Sequence, residues 1–157
     1  MENYTKYKLK SADELASLLA DKDNLFVIAC NKCFKEFETV DEPDCDEFIK
    51  FAEEQGKHIT GSKKVDFLCN KTHTEKDLPD MIPEGTENIV VISCGLGIQT
   101  VADLAGRPVI AASNSLNYTG YHGMALTKKA CDACAQCYLN ITGGVCLIVD
   151  CSKSLVN

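Results

Sequence analysis

The sequence has no apolar run near the roughly 20 residues that a membrane-spanning helix needs, and its beginning lacks the features of a secretory leader. We therefore expect a cytoplasmic protein with no membrane partner. Positive charge is not in excess either, since 16 Lys and Arg face 23 Asp and Glu, for a net charge of -7. A nucleic-acid-binding module requires the opposite sign, so we expect no nucleic-acid partner.

Recognisable catalytic motifs are also missing. The chain has no nucleophile elbow, no Walker loop and no dinucleotide fingerprint. The segment Cys94-Gly-Leu-Gly97 resembles a phosphate loop only superficially, because the full glycine pattern and the downstream acid are absent. His73 follows Cys69 by four residues but has polar neighbours that predict a solvated loop, and His122 could line a pocket. We predict no catalytic residue.

The length of 157 residues and the apolar fraction of 45% predict a single domain over residues 1–157 with one substantial core. Helix signals occur at 11–19, where Ser11 and Glu14 form a capping box, at 44–56, and from 95 to about 104. Strand signals occur at 25–29, 65–68, 89–92 and 108–112, and polar loops follow. This alternation predicts an α/β fold with a mostly parallel sheet flanked by helices.

Three of the predicted strands run directly into cysteines, namely Cys30, Cys69 and Cys94. In open α/β sheets, ligands bind outside the carboxyl ends of the strands. The sequence therefore predicts one site at one edge of the sheet.

Ten cysteines in 157 residues are well above ordinary usage. A disulfide framework is one interpretation, but the apolar fraction is sufficient for a core without such staples. Several of the cysteines occur as CxxC and CxxCxxC, a spacing typical of metal ligation or redox chemistry in a reducing compartment. We therefore favour metal binding.

The first cysteine group comprises Cys30, Cys33, Cys69 and Cys94. Four thiolates suit tetrahedral zinc and an iron-sulfur cluster equally well on spacing alone. Cys45 could replace one of them, or could be a reactive thiol at a helix N-terminus. The alternative for Cys69 and Cys94 is that they are small buried hydrophobic residues at strand ends.

The second group lies in a metal-binding tail over residues 128–157 and comprises Cys131, Cys134, Cys137, Cys146 and Cys151. Its CxxCxxC run resembles the start of cluster-binding segments in bacterial ferredoxins, where one loop supplies three ligands. These five cysteines are candidates for four ligand positions, so one thiol is left over. The alternative is a structural zinc that holds the tail in place.

The order of motifs resembles the C-terminal domain family of methylenetetrahydrofolate reductases, whose stand-alone form is a small cysteine-rich subunit. The matching motifs are CxxC at 30–33, an isolated cysteine, Ser-Cys-Gly-Leu-Gly-Ile-Gln at 93–99, CxxCxxC, Thr-Gly-Gly-Val-Cys at 142–146, and the end at 151–157. The resemblance implies one or two 4Fe–4S clusters, with zinc also possible. It further implies electron transfer to or from a flavoprotein subunit in anaerobic one-carbon metabolism. Family members usually have a further cysteine where this chain has Phe37, and Cys45 could compensate.

Two other functions compete with electron transfer. The protein could be a zinc-stabilised interaction module that docks on a methyltransferase or a reductase without a redox role. It could also be a zinc-thiolate accessory protein of corrinoid methyl transfer, although the sequence supplies no substrate pocket for this. In each case cysteine is the side chain that carries the chemistry.

Overall fold

The computed structural model describes residues 5–32 and 45–118. Its helices are α1 (Ala12–Leu19), α2 (Cys45–Glu54), α3 (Lys71–Met81) and α4 (Gly95–Leu104). Its strands are β1 (Thr5–Leu9), β2 (Leu25–Lys32), β3 (Ile59–Asp66), β4 (Asn88–Ile92), β5 (Val109–Ala111) and β6 (Ser113–Tyr118). The predictions for Cys33, His122 and the tail over 128–157 fall outside these residues, and the single domain over 1–157 stays a prediction.

Four strands form a parallel sheet in the order β3-β2-β4-β5, with helices on both faces. The α/β prediction is thus confirmed. A separate antiparallel pair joins β1 to β6, so the prediction of polar loops is wrong for Ser113–Tyr118, and beyond residue 118 it falls outside the described residues. The segment Ser113–Tyr118 lacks a clear apolar alternation, and its pairing with a strand more than 100 residues earlier in the chain cannot be read from local pattern.

The central strands are buried on both faces, which explains their continuous apolar sequences. Odd-numbered residues of β2, such as Leu25 and Val27, face a core cluster shared with α1 and α2. Even-numbered ones, such as Phe26 and Ile28, face a second cluster shared with α3 and α4. The sheet therefore separates two cores that differ in the helices covering them.

The strand predicted over residues 65–68 is confirmed only in its first half, because β3 covers Ile59–Asp66. The prediction is wrong for the second half, since residues 67–69 form a turn. Strand β3 lies at the edge of the sheet and carries exposed Lys63 and Lys64. These charged residues interrupt the apolar pattern by which a strand is recognised in the sequence. Helix α3 was not predicted and contains Pro79. His73 lies exposed in this helix rather than in a loop, and its backbone N–H donates to the capping side chain of Asn70 over 3.4 Å.

The helix that was predicted from its capping box is confirmed. The Ser11 hydroxyl accepts from the Glu14 N–H over 3.4 Å, and the Glu14 carboxylate accepts from the Ser11 N–H over 3.1 Å. Donation from the Ser11 backbone lowers the pKa of Glu14. Within the described residues, no helix is long and apolar enough to cross a lipid bilayer.

Candidate functional site at the carboxyl edge of the sheet

The order of strands reverses between β2 and β4. The connection from β2 leads to β3 on one side, whereas the connection from β4 leads to β5 on the other. The segments that leave β2 and β4 therefore diverge at the carboxyl edge, and the crevice at such a reversal is the usual ligand site of open α/β sheets. Cys30 and Cys94 occupy the two sides of this reversal.

Cys30 lies near the end of β2, half-buried against the core cluster shared with α3 and α4. It pairs with Val65 of β3, and the ladder becomes irregular directly after it, between Cys30 and Lys32. Such irregularities re-aim side chains at sheet edges. The Tyr7 hydroxyl donates to the Cys30 carbonyl over 2.6 Å, so the β1–β6 pair also anchors this strand end.

Cys69 closes the turn after β3, and its neighbours are held from two helices. The Thr74 hydroxyl of α3 donates to the Leu68 carbonyl over 3.0 Å. The Thr100 hydroxyl of α4 donates to the Leu96 carbonyl over 2.9 Å and lies 3.5 Å from the Cys69 carbonyl. Phe67 begins the turn with φ of 56°. This left-handed conformation costs a bulky residue about 1–2 kcal/mol and tends to occur near functional sites.

Cys94 is the N-cap of α4 and is 5% exposed. The backbone N–H of Gly95, the first residue of the helix, donates to the Ser115 hydroxyl of β6 over 2.9 Å. A helix N-terminus favours the thiolate form of a cysteine because its backbone N–H groups carry partial positive charge. The position of Cys94 thus combines a helix N-terminus, which favours a thiolate, with burial, which disfavours one.

Ser93 precedes Cys94 and is completely buried. The Ser113 hydroxyl accepts from the Ser93 N–H over 2.9 Å and donates to the Ser93 carbonyl over 2.6 Å, which satisfies the Ser93 backbone. The Ser93 hydroxyl, in contrast, has no hydrogen-bond partner within the described residues. It lies against the backbone of Gly97, where an added Cβ would be 2.2 Å from the Ser93 Oγ.

The described cysteines of the first group thus end or follow three neighbouring strands, β3, β2 and β4, at the same edge. Within residues 5–32 and 45–118, no three potential ligands lie close enough together to hold a metal ion. Cys33, the fourth predicted ligand, lies outside those residues. The structure therefore places three candidates at one edge, and their role as ligands stays a prediction.

Cys45 and His58 lie elsewhere. Cys45 is 2% exposed, within the core cluster shared with α1 and α2, whereas Cys30 packs on the opposite face of the sheet. Burial among apolar side chains is the usual role of a structural cysteine. His58 lies at the amino edge, where its Nδ1 is 3.0 Å from Asn24 Oδ1.

Residues that support the edge were missed in the sequence. They are Tyr7, Thr74, Ser113 and Ser115, each of which bonds the backbone of a cysteine or of a residue next to one. Single hydroxyl groups carry no spacing signal, so their role depends on the folded chain. The contact between Ser93 and Gly97 was only weakly indicated by the sequence. A glycine four residues after a serine, at the start of a helix, leaves room for the serine side chain.

A comparison with known protein families identifies the C-terminal part of the chain. Residues 110–157 match the family described as methylene-tetrahydrofolate reductase C terminal. The predicted resemblance is confirmed over these residues. The matched segment includes Ser113 and Ser115, which hold Ser93 and Gly95, while Cys30, Cys69 and Cys94 precede it. Searches among curated proteins and among solved structures found no match.

Proposed function

We propose that the protein is an iron-sulfur electron-transfer subunit that resembles the small subunit of methylenetetrahydrofolate reductase and exchanges electrons with a flavoprotein partner. The observation that carries this proposal is the position of three cysteines at or after the ends of three neighbouring strands, at one edge of the sheet. The family match of residues 110–157 supports the same assignment.

The donor set fits an iron-sulfur centre by its chemistry. Such clusters are held by cysteine thiolates, and the proposed ligands are Cys30, Cys33, Cys69 and Cys94. The ladder irregularity after Cys30 can re-aim the side chains there, and Cys94 lies at the N-terminus of α4. When bound, the cluster would supply a centre that gains and loses one electron.

The second proposed centre uses Cys131, Cys134 and Cys137 with one of Cys146 and Cys151. Its support is the CxxCxxC spacing together with the family match, which contains all five residues. The two centres would allow electrons to pass through the subunit rather than stop at one site.

The chain's own residues would contribute burial and hydrogen bonds, the two influences by which a protein sets the potential of a cluster. The partner is expected to carry a basic docking surface, because the chain has a net charge of -7. The exposed face of α2 carries the acidic side chains of Asp46, Glu47, Glu53 and Glu54 and one basic side chain, Lys50. Binding through such a face should weaken as ionic strength rises.

The first test is the metal content of the anaerobically purified protein. Iron and acid-labile sulfide in comparable amounts, with a brown colour, would support the proposal. Zinc without iron or sulfide would favour the interaction module instead. Cys30→Ser should remove the iron of one centre, whereas Cys45→Ala, a buried cysteine on the other face, should keep it.

The second test is electron transfer itself. The reduced protein is mixed anaerobically with an oxidised flavoprotein reductase, and bleaching of the flavin absorption is followed over time. Bleaching that requires the iron-loaded protein and slows at high salt would support the relay. An iron-loaded protein that never reduces such a flavin would contradict it.

A further inference from the structure

The antiparallel pair of β1 and β6 reaches both sides of the reversal in strand order. From β1, the Tyr7 hydroxyl donates to the Cys30 carbonyl near the end of β2 over 2.6 Å. From β6, the Ser115 hydroxyl accepts from the Gly95 N–H at the start of α4 over 2.9 Å. Tyr7 and Ser115 lie opposite each other in the register of the pair. One cross-strand pair of residues therefore bonds both to β2 and to the segment that leaves β4.

A second attachment lies nearer the base of the β1–β6 pair. The register of β4 with β5 ends at Val91 and Ala111, and the chain then leaves the parallel sheet. Ser113, which is opposite Leu9 in β1, bonds both backbone groups of Ser93 through its hydroxyl. This side chain takes the place of a backbone partner at the end of β4. The β1–β6 pair thus holds the residues on both sides of the one at position 94.

The β1–β6 pair is fixed to the rest of the molecule at one end. There the Lys10 N–H donates to the Ala112 carbonyl over 2.9 Å, and Leu9 packs against the core cluster shared with α1 and α2. Towards the other end, the ladder is irregular between Lys6 and Tyr7. A two-stranded ribbon is marginally stable by itself, and regions held by few bonds open more readily than a sheet buried on both faces. The hydroxyl bonds to the edge can therefore break while the parallel sheet stays intact.

We propose that the β1–β6 pair is a strap across the carboxyl edge, which closes the crevice between β2 and β4 and separates from it as a unit. Ligands of open α/β sheets bind in this crevice, commonly against the N–H groups of a helix N-terminus. Here the Ser115 hydroxyl occupies the Gly95 N–H, so a ligand that enters must displace the strap. The strap concerns access to the edge. It goes beyond the proposed function and does not depend on a metal.

Residue-resolved hydrogen exchange of the purified protein tests the strap, because amide exchange reports the population of the locally open form. Tyr7→Phe removes only the hydroxyl that bonds β2. We expect it to raise the exchange rates of the Ser93 and Gly95 amides about fivefold, although these amides bond to β6 and not to Tyr7. Asn88→Ala is the matched control, since it removes a side-chain bond at the amino end of the same strand β4. The two amides should exchange in this control no faster than the rest of β4.

Unchanged rates at both amides in Tyr7→Phe would overturn the proposal, and so would an equal rise in Asn88→Ala. If Tyr7→Phe fails to fold, Ser115→Ala takes its place, and the readout is the Ser93 N–H, which bonds to Ser113. Faster exchange of that amide would support a strap that moves as a unit. An unchanged rate there would show that each hydroxyl acts alone, which would overturn the proposal.

Discussion

The two edges of the four-stranded sheet differ in how their polar groups are satisfied. At the amino edge, polar side chains bond to one another and to nearby backbone groups. The residues involved are Asp23, Asn24, His58, Thr60, Thr86, Asn88 and Arg107. For example, the Asn88 side chain donates to the Asp23 carbonyl over 2.9 Å, and the Thr60 and Thr86 hydroxyls are 2.8 Å apart.

The carboxyl edge has a different character. It holds three cysteines and the hydroxyl of Ser93, which has no partner within the described residues. Each edge contains one non-glycine residue with positive φ, Asn24 at 48° and Phe67 at 56°. Asparagine tolerates this conformation, whereas a bulky residue does not. The polar groups of the amino edge are satisfied by hydrogen bonds among themselves, whereas at the carboxyl edge the Ser93 hydroxyl is not satisfied within the described residues.

The largest expected effect is on metal content. Cys94→Ser should remove the iron of the strand-end centre, because serine is a poor replacement for a thiolate ligand. Asn88→Ala, at the amino end of the same strand β4, should keep it. Metal analysis of the two purified variants makes the comparison. Equal iron content in the two variants would mean that Cys94 at the carboxyl edge is not an iron ligand.

A second prediction concerns packing at the carboxyl edge. Gly97→Ala should lower the free energy of unfolding by about 1–3 kcal/mol, because its Cβ would overlap the Ser93 Oγ. Adding Ser93→Ala should recover part of this loss, since the nearest clashing atom is then gone. Urea denaturation of the single and double variants measures the coupling. Strict additivity of the two changes would show that the contact is not the cause.

A third prediction concerns the amino edge alone. Asn88→Ala should lower the free energy of unfolding by about 1 kcal/mol, because a buried side chain loses its bond to the Asp23 carbonyl. Its reduction potential should equal that of the wild type. Urea denaturation and a redox titration check the two parts. A changed potential would indicate that the two edges are coupled through β4.

The smallest expected effect is on pH dependence. Donation from the backbone N–H of His58, and then from that of Asn24, lowers the pKa of Asp23 from its ordinary value of 3.8. A carboxyl group with a lowered pKa stabilises the fold above its unfolded pKa, and this contribution disappears as pH falls through the folded pKa. Asp23→Asn should therefore flatten the acid side of the stability profile below about pH 4. A profile identical to that of the wild type would show that these bonds are not linked to folding.

Much of the fold was predictable because it depends on local sequence. The apolar runs that begin at Leu25 and Ile89 indicated buried parallel strands, and Ser11 with Glu14 indicated the start of α1. The cysteines at strand ends indicated the edge where a site would form. Strands β1 and β6 and helix α3 were missed, since β1 and β6 pair only with each other across the chain and α3 contains Pro79.

By itself, the sequence determined the α/β class, the buried central strands and the cysteines that follow them, because each follows from hydropathy and spacing along a short segment. Only the tertiary structure decided that Cys45 lies in a different core from Cys30, and that the Ser93 hydroxyl is buried against Gly97 without a hydrogen bond within the described residues. Those relations join residues from different strands and helices. They arise when the sheet brings distant segments together, and no local pattern encodes that step.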